Sequence, residues 1–89
     1  MTAAPRPYEV RELVLRIFQE MGVSNRSLLD IDETILIDDG NCVARTYRLG
    51  GLLAMWFVSG GTLQFYDAAG SMLRTIHLAD EIEQERMAA

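Results

Sequence analysis

With 89 residues, 49% of them apolar, the chain has enough apolar sequence to fold, but only as one domain around one modest core. A formal charge of −5, carried with eight arginines and no lysine, offers no bulk attraction to a phosphate backbone or an anionic bilayer. Duplex nucleic acid and membrane surfaces are therefore disfavoured partners. No apolar run approaches bilayer-spanning length, the first residues lack an apolar leader segment, and the single Cys42 cannot close an internal disulfide, so the cytoplasm is the expected compartment.

In chain order, Pro7 suits the first turn of a helix, where its missing N–H costs nothing. Val10, Leu13, Val14, Ile17, Phe18 and Met21 then recur at the spacing of one helical face, which predicts a helix over residues 7–21. Gly22 supplies the left-handed stop. Ser24 is placed to cap a short turn running through Leu29.

Beyond residue 30 the punctuation changes. Glycine-centred turn signals fall about ten residues apart: Asp38-Asp39-Gly40-Asn41, Leu49-Gly50-Gly51-Leu52, Ser59-Gly60-Gly61-Thr62 and Asp67-Ala68-Ala69-Gly70. Short apolar and β-branched runs separate them, which predicts strands over 33–38, 42–49, 52–59, 62–67 and 72–78. The segment 79–89 is acidic with little apolar face and reads as a helical or frayed solvating tail. The expected fold is α+β: an amino-terminal helix on a five-stranded antiparallel meander, with a short carboxy-terminal helix or tail.

Turn lengths assign registers, and registers assign faces. A two-residue Gly50-Gly51 loop pairs Leu49 with Leu52, Tyr47 with Ala54, Arg45 with Trp56 and Val43 with Val58. A two-residue Gly60-Gly61 loop pairs Val58 with Leu63 and Trp56 with Phe65. Alternation then gathers Tyr47, Leu49, Trp56, Leu63 and Phe65 on one face, the natural seat for the helix. The opposite face receives Arg48, Leu53, Met55, Phe57 and Tyr66, and both registers considered for the first hairpin add Ile35 and Ile37, with Leu36 on the helix face. A three-residue Ala68-Ala69-Gly70 loop with a bulge sets Met72 beside Tyr66. Tyr66-Asp67-Ala68-Ala69-Gly70 also resembles the Tyr-Asp-x-x-Gly hairpin of YD-repeat proteins; with one copy of five residues, that resemblance implies turn geometry and nothing functional.

Chemistry is thinly marked. His77 has no nucleophile placed beside it, Cys42 no activating cation or helix terminus, and Asp30, Asp32, Asp38 and Asp39 lack the alternation and distal glutamate of a calcium loop. Gly50-Gly51 and Gly60-Gly61 precede no lysine and no helix, so neither is a phosphate loop. The sequence therefore predicts no enzyme, cofactor or metal. It predicts a protein–protein interaction module, a homodimer or a complex with another protein, whose interface comprises Ile35, Ile37, Leu53, Met55, Phe57, Tyr66 and Arg48. Two alternatives come from other classes. One is a small-ligand cleft between helix and sheet at Tyr47 and Trp56; the other is a single-stranded RNA surface using Arg48, Gln64 and Arg74 beside Phe57 and Tyr66.

Overall fold

The computed structural model describes residues 5–24 and 26–88, the side chains of residues 85 and 88 excepted; the first four residues of the expected leaderless terminus and residue 89 of the tail lie outside the described residues. Along the chain come α1 (Pro7–Glu20), a 3-10 turn (Ser27–Asp30), β1 (Asp32–Asp38), β2 (Asn41–Leu49), β3 (Leu52–Phe57), β4 (Thr62–Tyr66), β5 (Met72–His77) and α2 (Leu78–Ala88). The strands form one antiparallel sheet in sequence order. The α+β meander read from the turns is the observed architecture.

α1 begins as its sequence dictates. Pro7 opens it, and the Arg6 N–H donates to Glu9 Oε1 at 3.0 Å, satisfying a donor the helix cannot. Its apolar stripe is buried throughout from Val10 to Phe18. The end is a Schellman arrangement: Gly22, at φ +102°, donates to the Gln19 carbonyl, and Val23 donates to that of Phe18. At the entrance to the 3-10 turn, Ser24 Oγ accepts the Ser27 N–H at 3.3 Å.

The β2–β3 register is the one the Gly50-Gly51 turn predicts: Leu49 faces Leu52, Tyr47 faces Ala54 and Arg45 faces Trp56. Both glycines have positive φ, +57° and +84°, as a primed two-residue turn demands. Val58 also donates to the Val43 carbonyl, which sets those two residues together.

Two other registers differ from expectation. In β3–β4, Trp56 faces Leu63 and Ala54 faces Phe65, because the connection is the four-residue loop Val58-Ser59-Gly60-Gly61, closed by Gly61 N–H to the Phe57 carbonyl at 2.9 Å. β3 accordingly stops at Phe57, short of residue 59. The two-residue shift leaves every side chain on its expected face, since the pleat repeats every two residues.

The β1–β2 difference matters more. Ile35 faces Arg45 and Leu36 faces Ala44, then the register slips so that Ile37 faces Cys42. The slip passes over Val43 and is a bulge in β2. Cross-strand partners point to the same side of a sheet, so Ile35 belongs to the face of Arg45 and Trp56, and regular alternation along β1 keeps Ile37 with it. Leu36 takes the opposite face. The placement of Ile35 and Ile37 beside Phe57, and of Leu36 on the helix face, is thereby reversed.

The last hairpin follows expectation: Met72 faces Tyr66, with a register shift that passes over Leu73. The carboxy-terminal segment corrects the frayed-tail alternative. α2 begins directly at the end of β5, one residue earlier than expected, where Leu78 N–H donates to the Gly61 carbonyl at 2.9 Å. Leu78 and Ile82, one helical turn apart, are both fully buried.

The core lies between the sheet and the two helices. Val10, Leu13, Val14, Ile17 and Phe18 of α1 and Leu78 and Ile82 of α2 pack against Tyr47, Leu49, Ala54, Trp56, Leu63, Phe65 and Ile76. Phe18 meets Phe65 edge to face, ring centres 5.8 Å apart at 81°. Arg86 of α2 forks onto Glu9 of α1, Nε to Oε2 at 2.9 Å and Nη2 to Oε1 at 2.6 Å. Both helices therefore serve one face of the sheet.

Candidate functional site

The other face has no element over it among the described residues. Its centre is built by β3 and β4, where alternation projects Leu53, Met55 and Phe57 from one strand and Gln64 and Tyr66 from the next. All five are half-buried by one another. The Tyr66 hydroxyl donates to Gln64 Oε1, so the ring lies against its neighbour along the strand with its polar tip satisfied. On the β1 side, Ala44 and Thr46 are buried simply by being small between larger neighbours, and Leu36 and Arg48 are exposed. On the β5 side stands Met72, 55% exposed.

At the end nearest the Gly50-Gly51 turn this face opens into a groove of about 870 Å³. Leu53, Met55 and Tyr66 form its apolar floor, with Arg48, Asp30, Asp32 and Asp67 at its margins. Asp67 is already engaged, its Oδ1 accepting the N–H groups of Ala69 and Ser71 at 2.9 Å each. Arg48 makes no ion pair or side-chain hydrogen bond among the described residues.

Of the expected interface residues, Leu53, Met55, Phe57, Tyr66 and Arg48 are brought together here. Ile35 and Ile37 are not: the β2 bulge turns them to the helix side, at the rim, where they stay 45% and 68% exposed. Leu36 takes their place, along with Met72 from the far edge. No sequence signal marks the bulge, but Met72 was in reach once the last hairpin was set beside Tyr66.

Tyr47 and Trp56 also meet, but inside the core, and neither lines the 870 Å³ groove or the smaller one of about 540 Å³ beside β1. Their polar atoms stand out nonetheless. The Tyr47 hydroxyl and Trp56 Nε1 are buried without a hydrogen-bond partner among the described residues. Burial, reinforced by the Glu33 carboxylate, pushes the Tyr47 phenol up to about 12. Above them runs a charged ladder, Arg11 to Glu33 at 3.9 Å and Glu33 to Arg45 at 3.0 Å, with the Arg45 guanidinium 5.9 Å from the Trp56 ring centre.

Arg74 departs from the expected RNA-type surface. It faces Phe65, on the helix side, and its Nη1 binds Glu20 of α1 at 2.9 Å. His77 is exposed at the end of β5 opposite Thr62, and Cys42 is half-buried with its Sγ 3.7 Å from the Ala44 carbonyl. Among the described residues no three His, Cys, Asp or Glu side chains converge as metal ligands, and no helix is long and apolar enough to cross a membrane. No protein-family model matches the chain, and no match was found among curated proteins or solved structures.

Proposed function

We propose that this chain is a small cytoplasmic protein–protein interaction module that self-associates through the open face of its sheet and performs no catalysis. The supporting observation is the uneven cover: both helices serve one face, and the face bearing Leu53, Met55, Phe57 and Tyr66 has none. At about 4.8 Å between strands and about 20 Å of strand length, a five-stranded face spans roughly 500 Å². Its apolar part, from Leu36 through Phe57, Met55, Leu53 and Tyr66 to Met72, runs across all five strands, and contiguous exposed apolar surface marks interaction sites. A two-fold axis through the face lets Leu53, Met55 and Phe57 of each copy cover those of the other, with Arg48, Thr34 and Thr75 at the rim. Contact on this scale sits at the low end of stable interfaces, so association is expected at micromolar concentration.

Phe57→Asp is the test. Sedimentation should find the unmodified chain in a concentration-dependent monomer–dimer equilibrium and the variant monomeric, with unchanged circular dichroism. An unmodified chain that is monomeric throughout the micromolar range would end the self-association reading. The small-ligand alternative draws only on the unpartnered Tyr47 hydroxyl and Trp56 Nε1, and the RNA alternative loses Arg74 to the helix side.

A further inference from the structure

The two edges of the sheet are protected very differently. β5 is broken by the register shift at Leu73, tied to α1 through Arg74, and runs straight into α2. β1 is less guarded: its pairing with β2 also slips once, at Ile37, and Glu33 reaches Arg11 of α1 at 3.9 Å, but no helix continues it at its far end. Its seven residues, Asp32–Asp38, are exposed along their whole length, and they contain neither proline nor glycine. Among the described residues its one strand neighbour is β2, which leaves the N–H and C=O groups on the other side of its backbone without a strand partner. Ile35, Leu36 and Ile37 stand 45%, 43% and 68% exposed, on both faces of the strand. A long exposed edge with an apolar centre is a template for another strand.

We propose that the β1 edge takes up an extended segment of another protein, one with an apolar centre and basic residues at both ends. The charges around the edge choose that occupant. Asp32 lies at one end and Asp38 and Asp39 at the other, and none of the three is in an ion pair among the described residues. Glu33 is already neutralised by Arg11 and Arg45. A second copy pairing antiparallel about Ile35 would set Asp32 against Asp38 twice, and a pairing about Leu36 would set Glu33 against Asp39; like charges directly opposite destabilise a strand pair. A strand carrying arginine or lysine about six residues apart meets those acids instead, while its alternate side chains lie against Ile35 on one face and Leu36 on the other. This edge borders the open face and shares Leu36 and Thr34 with its rim, but its pairing groups are the free N–H and C=O of β1, which the central residues Leu53, Met55 and Phe57 do not supply.

The probe is a synthetic peptide with an alternating valine–threonine centre and paired arginines at each end. One control carries glutamates for the arginines; another carries a central proline, which removes a ladder donor. Titration followed by amide exchange should show slowed exchange at alternate positions of Asp32–Asp38 and no change in β5. Affinity should fall about tenfold for the glutamate peptide, and the preference should invert in the Asp32→Arg/Asp38→Arg chain. Leu36→Lys, at an already exposed position, should abolish binding with unchanged circular dichroism. Phe57→Asp should bind the peptide normally, which separates this site from the self-association surface. Equal affinity for all three peptides, no binding of the arginine peptide, protection away from β1, or β1 protection that rises with protein concentration alone would each overturn the proposal.

Discussion

The helix side and the open side of this sheet are made from alternate residues of the same strands, yet they carry different kinds of information. On the helix side large apolar groups interlock: Phe65 and Leu63 are fully buried, and Phe65 touches Phe18 edge to face. On the open side comparable groups, Phe57 and Met55, are only half-buried, and threonines, glutamine and arginine surround them. Burial by the chain's own helices makes one face answerable to folding. The other face contributes less to folding and is free to answer to a partner. One strand can thus serve stability and recognition in alternate positions.

Truncating the two phenylalanines breaks that comparison most sharply. Phe65→Ala should lower the unfolding free energy by about 3–5 kcal/mol, the cost of a cavity in packed core. Phe57→Ala, in urea titrations below the association concentration, should cost clearly less, about 1–2 kcal/mol, because its ring is only partly buried and lies outside the core cluster. Equal losses would mean that the open face is part of the core.

Ile82→Ala asks whether α2 belongs to the covered side. Full burial predicts a loss of about 2–4 kcal/mol and faster amide exchange throughout α2. A negligible change would restore the picture of a solvating tail.

Tyr47→Phe probes the one polar irregularity in the covered face. Removing a buried hydroxyl that has no partner should leave stability unchanged or raise it by up to about 1 kcal/mol. A clear destabilisation would show that the hydroxyl is satisfied in solution, by water or by a ligand, and would revive the cleft reading.

The smallest effect concerns the clamp between the helices. The Arg86 guanidinium holds the Glu9 carboxyl below its ordinary value of 4.5, with help from the Arg6 N–H. A lowered folded-state pKa stabilises the protein above the unfolded value, and the contribution disappears as pH falls through the folded one. Thermal melts from neutral to acidic pH should therefore show part of the acid-side decline, and Glu9→Gln should remove that part while leaving the rest.

Much of this was legible because local chemistry and global fold agree. The α1 stripe is continuous, and Gly50-Gly51 admits one compact turn, so the helix and the β2–β3 register could be read directly. Ser59-Gly60-Gly61 supports loops of more than one length, and the longer one occurs, but an even shift left all faces intact. The bulge at Val43 was not legible. It depends on how an edge strand twists against its neighbour, and a one-residue slip moved Ile35, Leu36 and Ile37 to opposite sides from those expected. The packing of α2, expected only as a short helix or a frayed tail, escaped for another reason. Leu78 and Ile82 are too few to form a recognisable stripe, and they become core only because α1 stands beside them.

Self-association requires that the open face be covered in solution. A single cysteine at position 55, Met55→Cys with Cys42→Ser, reports that directly through the rate of reaction with a small thiol reagent. Across the micromolar association range the rate should fall about tenfold, relative to an exposed cysteine at position 12 on the solvent side of α1, as the second copy closes over the sheet. A ratio to the exposed position that stays the same at every concentration would contradict a covered face.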